Sequence, residues 1–169
     1  TSAVCAASPE NMKNCAGAAA VIARKAGIFG MVGGQSLDVL LTDKPVNEKE
    51  MEFIFNLKTG ALIEAAFMAG AILAGKECVS QLEKAGNLVG VAFQIKDDIL
   101  DVTSTQEVLG KPVFSDEKNN KTTYVKLYGM EKAVADVENM SEKAESIVKS
   151  IGDNEFLIEL INKLISREK

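Results

Sequence analysis

Within Phe93-Gln-Ile-Lys-Asp-Asp-Ile-Leu-Asp101, the residues Gln94, Asp97, Asp98 and Asp101 fall at i, i+3, i+4 and i+7, so a helix gathers them on one face. Carboxylates this close repel one another, and an i, i+4 like-charge pair costs roughly 0.2–0.5 kcal/mol even on an exposed helix. A cation offsets that cost. Magnesium suits the pattern, because it takes one or two carboxylates, keeps waters and completes its shell with phosphate oxygens. The same spacing also describes a solvated acidic face. An EF-hand calcium site is disfavoured, since the acids lie in helical register without the looped spacing and central glycine.

Lys58-Thr59 stands among the apolar residues Phe53, Ile54, Phe55, Leu57 and Leu62. A lysine there either snorkels to water or meets an anion. Lys111, Lys118 and Lys121 follow the acidic segment, where a solvated loop is the simplest account. Taken together, lysines from separate elements around an aspartate-magnesium cluster make an electrostatic clamp for a diphosphate. Gln35 and Asp38, one helical turn apart, either cap the backbone beside the glycines or orient a neighbouring lysine from behind. Glu64, in apolar surroundings, is open to a structural ion pair or a catalytic role.

The elements that must hold these groups read as helices. Ser8-Pro9-Glu10 resembles a helix start, with an N-cap serine, proline in the first turn and an acid at the positive dipole end, leading to about Gly27. Gly27, Gly30, Gly33 and Gly34 mark either a break or a close approach to another backbone. Asn47 and Glu50 form a capping box for a helix from Glu48 to about Ala74, whose interior from Gly60 to Leu73 is apolar nearly all round, with Gly75 as its stop. Helices are expected over Gln81 to Val102, Glu131 to Ser150 and Asn154 to Ser166, with irregular chain from Thr103 to Thr122.

Composition narrows the chemistry. The 169 residues suit one domain, 1–169, and 47% hydrophobic content with only 5% aromatics leans all-α. No histidine is present, which removes Ser-His and Cys-His catalysis and His-ligated zinc. A net charge of −5 without a basic patch argues against nucleic-acid binding. Cys5, Cys15 and Cys78 form no paired framework, which points to reduced thiols in the cytoplasm. The most apolar stretch, Ala65 to Gly75, falls short of the about 20 residues of a membrane span, so a soluble chain is expected.

The order of the motifs resembles that of the trans-prenyltransferase family of polyprenyl diphosphate synthases. Gly33-Gly-Gln-Ser-Leu-Asp38 looks like the family's GQxxD segment, Lys58-Thr59 like its KT pair, and Phe93 to Asp101 like FQxxDDxxD. Gly110-Lys111, Ser115-Asp116 and Asn120-Lys-Thr-Thr-Tyr124 resemble its closing loop, followed by Leu127-Tyr-Gly-Met-Glu131. The likeness runs from about Gly27 to Glu131.

What the resemblance implies is an all-α helical bundle of the terpenoid synthase type and transfer of an allylic diphosphate (dimethylallyl or geranyl) onto isopentenyl diphosphate. Asp97 would be the most direct Mg2+ ligand, with Asp98 and Asp101 binding directly or through water. Lys58 and Lys111 would grip the diphosphate and Lys121 would support it. Thr59 and Gln94 would stabilise the allylic cation and Phe93 would line the apolar channel. A short-chain product, farnesyl diphosphate first, and a homodimer built on the first two helices are implied as well.

The departure is the family's first aspartate-rich motif, for which no second DDxxD is found in the 169 residues. With Thr1 in place of Met, this marks the chain as the carboxy-terminal part of a longer enzyme, a bundle incomplete on its N-terminal side and inactive alone. The competing readings are a non-catalytic partner subunit of a heteromeric synthase and a terpene cyclase. Retention of the repulsive aspartate stripe argues against the first, and Lys58-Thr59 ahead of FQxxDDxxD against the second.

Overall fold

The structure, a computed structural model, describes residues 9–103, 122–152 and 154–167. Every regular element among them is helical: α1 (Pro9–Ala26), α2 (Met31–Leu40), α3 (Glu48–Phe55), a π-helical turn (Asn56–Gly60), α4 (Ala61–Leu73), α5 (Val79–Thr103), α6 (Tyr124–Tyr128), α7 (Met130–Ile151) and α8 (Glu155–Ile165). Ser8, offered above as the N-cap of α1, and the stretch 104–121, with Lys111, Lys118 and Lys121, lie outside the described residues.

Local chemistry accounts for most of the boundaries. The glycine run both breaks the chain and admits another backbone. At Gly30 an added Cβ would fall 1.8 Å from the Lys25 carbonyl oxygen, so the link between α1 and α2 closes only on a glycine. Asn47 and Glu50 form the expected capping box: Asn47 Oδ1 accepts from the Glu50 amide at 3.1 Å, and Glu50 Oε2 from the Asn47 amide at 2.9 Å. Such a cap contributes about 1 kcal/mol. Helix α4 ends in a Schellman turn. Gly75 takes φ 64°, and the Lys76 amide reaches the Ala71 carbonyl at 2.9 Å while the Gly75 amide reaches that of Ile72 at 3.0 Å. Short α6 escapes the sequence pattern. It starts on Thr123, whose hydroxyl accepts from the Lys126 amide at 3.3 Å.

Helix α5 is the central rod, flanked mainly by α4 and α7, with α1 laid on α4 and α8 closing against α7 and α5. Its apolar stripe Ala85, Val89, Ala92 and Ile95 is completely buried, and Ile99 nearly so. Ala133, Ala144 and Val148 of α7 and Ile161 of α8 meet it in the same core. Fully burying a valine or isoleucine is worth about 1.5–3 kcal/mol. That stripe therefore fixes the register of α5, and with it the direction in which its polar carboxy end faces.

The stretch from Glu48 to Leu73 departs from expectation twice. It is not a regular helix throughout, because Asn56–Gly60 forms a π turn. Nor does apolar sequence nearly all round mean burial all round for α4: Ala61, Glu64, Ala65, Phe67, Ala69 and Ala71 are buried, whereas Leu62 and Leu73 are 42% and 53% exposed. Two helical stretches, Asn11–Leu40 and Glu48–Leu73, are long and apolar enough to cross a membrane by length and composition, which the Ala65 to Gly75 run alone did not suggest. Ion-paired Lys58 and Glu64 interrupt the second, and Gly27 to Gly30 interrupts the first.

Candidate functional site

Lys58-Thr59 occupies the middle of the π turn. A π turn widens the helix by one residue and rotates the side chains that follow, and such bulges concentrate at functional sites. Two glycine contacts hold it. A Cβ on Gly34 would lie 2.4 Å from the Lys58 amide nitrogen, and one on Gly90 would lie 2.4 Å from Gly60 Cα, so α2 and α5 press backbone to backbone on either side of the turn. Lys58 Nζ then donates to Asp38 Oδ2 at 2.6 Å, with side chains 27% and 12% exposed. Gln35 lies half-buried one turn before Asp38, and Thr59 is half-buried beside Lys58.

From the Gly60–Gly90 contact, α5 carries half-buried Phe93 and Gln94 one turn further and Asp97 two turns further, about 10 Å along the axis at 1.5 Å per residue. The three aspartates do not converge. Among the described residues no group of three or more Asp, Glu or Cys side chains is close enough together to hold a metal ion. Asp97, with a side chain 41% exposed, pairs with the Arg167 guanidinium. Asp98 Oδ2 accepts from the Tyr124 amide at 2.6 Å. Asp101 is 3% exposed. Neighbours on a helix point about 100° apart, so Asp97 and Asp98 turn to different surroundings.

This arrangement suits a magnesium ion that borrows most of its shell. Asp97 offers an accessible carboxylate that already attracts a cation, which is the donor chemistry required, and magnesium needs only one or two carboxylates beside waters and phosphate oxygens. It does not suit a metal caged by protein alone.

A model of the family described as Polyprenyl synthetase matches residues 3–161. The chain belongs to that family. It is 37% identical over 155 residues to the farnesyl diphosphate synthase of Escherichia coli (strain K12), covering 88% of this chain and 52% of that protein. It is 42% identical over 130 residues to the geranylgeranyl diphosphate synthase of Cyanophora paradoxa, covering 75% and 43%. Among solved structures, the geranylgeranyl pyrophosphate synthetase of Pyrococcus horikoshii superposes with a TM-score of 0.80 at 26% identity, over 99% of this chain and 63% of that one. The Helicobacter pylori geranyltransferase, solved with magnesium and isoprenyl diphosphate, gives 0.77 at 27% identity, over 95% and 53%. This polyprenyl synthetase chain thus has the all-α isoprenoid synthase fold and spans about half the length of the relatives it matches.

Further residues surround the site, and motif reasoning missed Arg167 and Lys25 among them. Arg167, beyond α8, reaches Asp97, donates to the Phe93 carbonyl at 3.2 Å and lies 3.5 Å from the Phe93 ring centroid. A lone arginine near a chain end carries no signal for a partner 70 residues away. Glu64 proves to be in an ion pair: buried at 6% exposure, it meets Lys25, which also binds Glu83 at 2.8 Å. Tyr124 stacks towards Phe55 and donates its hydroxyl to Asp136 at 2.6 Å, which anchors the residue whose amide holds Asp98.

Proposed function

We propose that this chain supplies the KT and second aspartate-rich wall of a trans-prenyltransferase that condenses isopentenyl diphosphate with dimethylallyl or geranyl diphosphate, giving farnesyl diphosphate. The observation that carries the proposal is the pairing of a rigidly seated Lys58 with an acidic helix end that leaves Asp97 accessible. Lys58 Nζ, held by Asp38, presents a fixed positive charge to the departing diphosphate, where charge grows in the transition state and preorganised electrostatics contributes most. Asp97 and Asp98 would hold Mg2+, whose contribution when bound is to neutralise the same leaving group. Thr59 and Gln94, half-buried on facing elements, offer hydroxyl and carbonyl oxygens to the allylic cation. The exposed apolar strip Leu62, Ala66 and Leu73 runs away from Lys58-Thr59 along α4 and suits a prenyl chain. Lys111 and Lys121 are assigned to the diphosphate on the family pattern alone.

Ile28 (72% exposed), Phe29 (79%), Val32, Val39 and Leu40 make α2 and its entry an uncovered apolar surface, which favours a homodimer through the first two helices. Free Cys15 and Cys78 accord with a cytoplasmic location. The 169 residues carry a single DDxxD, so turnover by them alone is expected to be absent. The deciding measurement is turnover of geranyl and isopentenyl diphosphates with magnesium by the complete enzyme. Asp97→Ala should lower kcat by at least about 100-fold, the scale seen when a group stabilising developing charge is removed. Near-normal turnover would sink the proposal.

A further inference from the structure

A connected set of polar side chains runs behind the Lys58-Thr59 turn and bonds to its first residue. Lys25 of α1 binds Glu64 of α4 and, at 2.8 Å, Glu83 of α5. Asn87 of α5 donates through Nδ2 to Glu64 Oε1 at 2.7 Å and to Asn56 Oδ1 at 2.8 Å. An ionised carboxylate only accepts, so the buried Glu64 obliges Asn87 to present its NH2 group, and Asn56, receiving that group, must present its oxygen. The amide orientations along the chain are therefore dictated by one buried charge. Asn56 is the first residue of the π turn and Gly60 the last. A Cβ on Gly60 would sit 3.6 Å from the same Asn87 Nδ2 and 3.9 Å from Glu64 Oε1, so the network bonds the first residue of the turn and passes close to the last.

We propose that Asn56, oriented through Asn87 by the Lys25–Glu64–Glu83 cluster, is a positioning residue that sets the π turn so that Lys58 and Thr59 face the reacting diphosphate. A π turn has a competing α-helical register one residue away, and Asn56 is where that choice is made. The glycine contacts fix how closely α2 and α5 approach, while the Asn56–Asn87 bond fixes which register fills the space. The inference rests on the prenyltransferase reading of Lys58.

The test is a double-mutant cycle in the complete enzyme, measuring kcat, KM for each diphosphate and Tm. Asn56→Leu keeps the side chain's size and removes the acceptor, and Asn56→Ala serves as a second variant should the first not fold. Asn56→Leu is expected to lower kcat by up to about 100-fold, the cost of a displacement of about 1 Å at a reacting centre. In a Lys58→Ala background the same change should cost less than about 3-fold, because groups acting as one unit are not additive. The Tm change should be the same in both backgrounds. An equal fold-loss of kcat in both backgrounds, or kcat within about 2-fold of wild type for Asn56→Leu and Asn56→Ala alike, would overturn the proposal. Near-normal activity of Lys58→Ala itself would overturn the prenyltransferase reading and this inference with it.

Discussion

The two ends of the site are built differently. Around Lys58, α2 and α5 touch the π turn through glycines, the lysine pairs with Asp38, and the network from Lys25 to Asn56 supports the turn from behind. At the acidic end of α5 the carboxylates meet groups from distant parts of the chain: Asp97 the Arg167 guanidinium beyond α8, and Asp98 the Tyr124 backbone amide. A lysine that must meet developing charge gains from being preorganised, since rearrangement during the reaction would spend its advantage. A metal ion brings waters and phosphate oxygens of its own and orders carboxylates as it binds. On the proposed reading, rigidity is placed where the protein supplies the charge.

The largest way to break this contrast is at Gly90. Gly90→Ala would put a methyl 2.4 Å from Gly60 Cα, a clash of backbone against backbone. Overpacking of this kind costs about 1–3 kcal/mol, and each kcal/mol should lower Tm by roughly 2–4 °C in a chain of this size. Gly70→Ala is the control. Its added Cβ meets nothing within 4 Å, and removing a helical glycine should stabilise by up to about 1 kcal/mol. If the grip depends on close approach, Gly90→Ala loses prenyl transfer beyond its loss of stability and Gly70→Ala keeps it. Equal activities would show that the Lys58 end is no more rigid than the rest.

A smaller effect sharpens the acidic side. The Arg167 guanidinium occupies the carboxylate to which magnesium would be drawn, so Arg167→Ala should lower the half-saturating magnesium concentration. An exposed or partly exposed ion pair is worth about 0.2–1 kcal/mol, which corresponds to no more than about a 5-fold change. Titrating magnesium against turnover, and against thermal stability in the presence of inorganic pyrophosphate, reads this in two ways. A higher magnesium requirement in the variant would mean that Arg167 supports the metal-bound state.

How much of this could be read from the sequence follows the range of the interactions. The aspartate stripe, the capping box at Asn47 and Glu50 and the apolar register of α5 are periodic or local, and the sequence predicts them where the structure has them. That Asp38 orients a lysine was one of two readings open in the sequence, backbone capping being the other, and Lys58 is the lysine it meets. The π turn was not among the readings, since one extra residue in a turn changes hydrogen-bond register without disturbing the apolar residues on either side. The i, i+4 spacing put the three aspartates on one helix face and left open whether their carboxylates meet. Spacing places Cα atoms on a face, whereas Tyr124, Arg167 and the burial of Asp101 decide where the carboxylates lie. Arg167 and Lys25 act across 70 and 39 residues, beyond any pattern in one chain.

The smallest expected effects separate the two ends by pH. Burial is the strongest single influence on Lys25 and disfavours its charge, but hydrogen bonds and charges from Glu64 and Glu83 together outweigh it and raise its pKa. A raised folded-state pKa means that the stabilisation is complete below the unfolded value, about 10.4, and is lost as pH rises through the folded value. Asp136, which anchors Tyr124 and so the amide that holds Asp98, behaves in the opposite sense. The Lys132 hydrogen bond first, and the Tyr124 hydroxyl second, lower its pKa, so its contribution is present above the unfolded value, about 3.9, and is lost as pH falls through the folded one. The Tm difference between wild type and Lys25→Met should therefore narrow only in alkali, and that between wild type and Asp136→Asn only in acid. Should Asp136→Asn instead narrow the gap in alkali, Tyr124 ionisation would be the group titrating, and the acidic end would be tied to its aromatic support through the phenol rather than through the carboxylate.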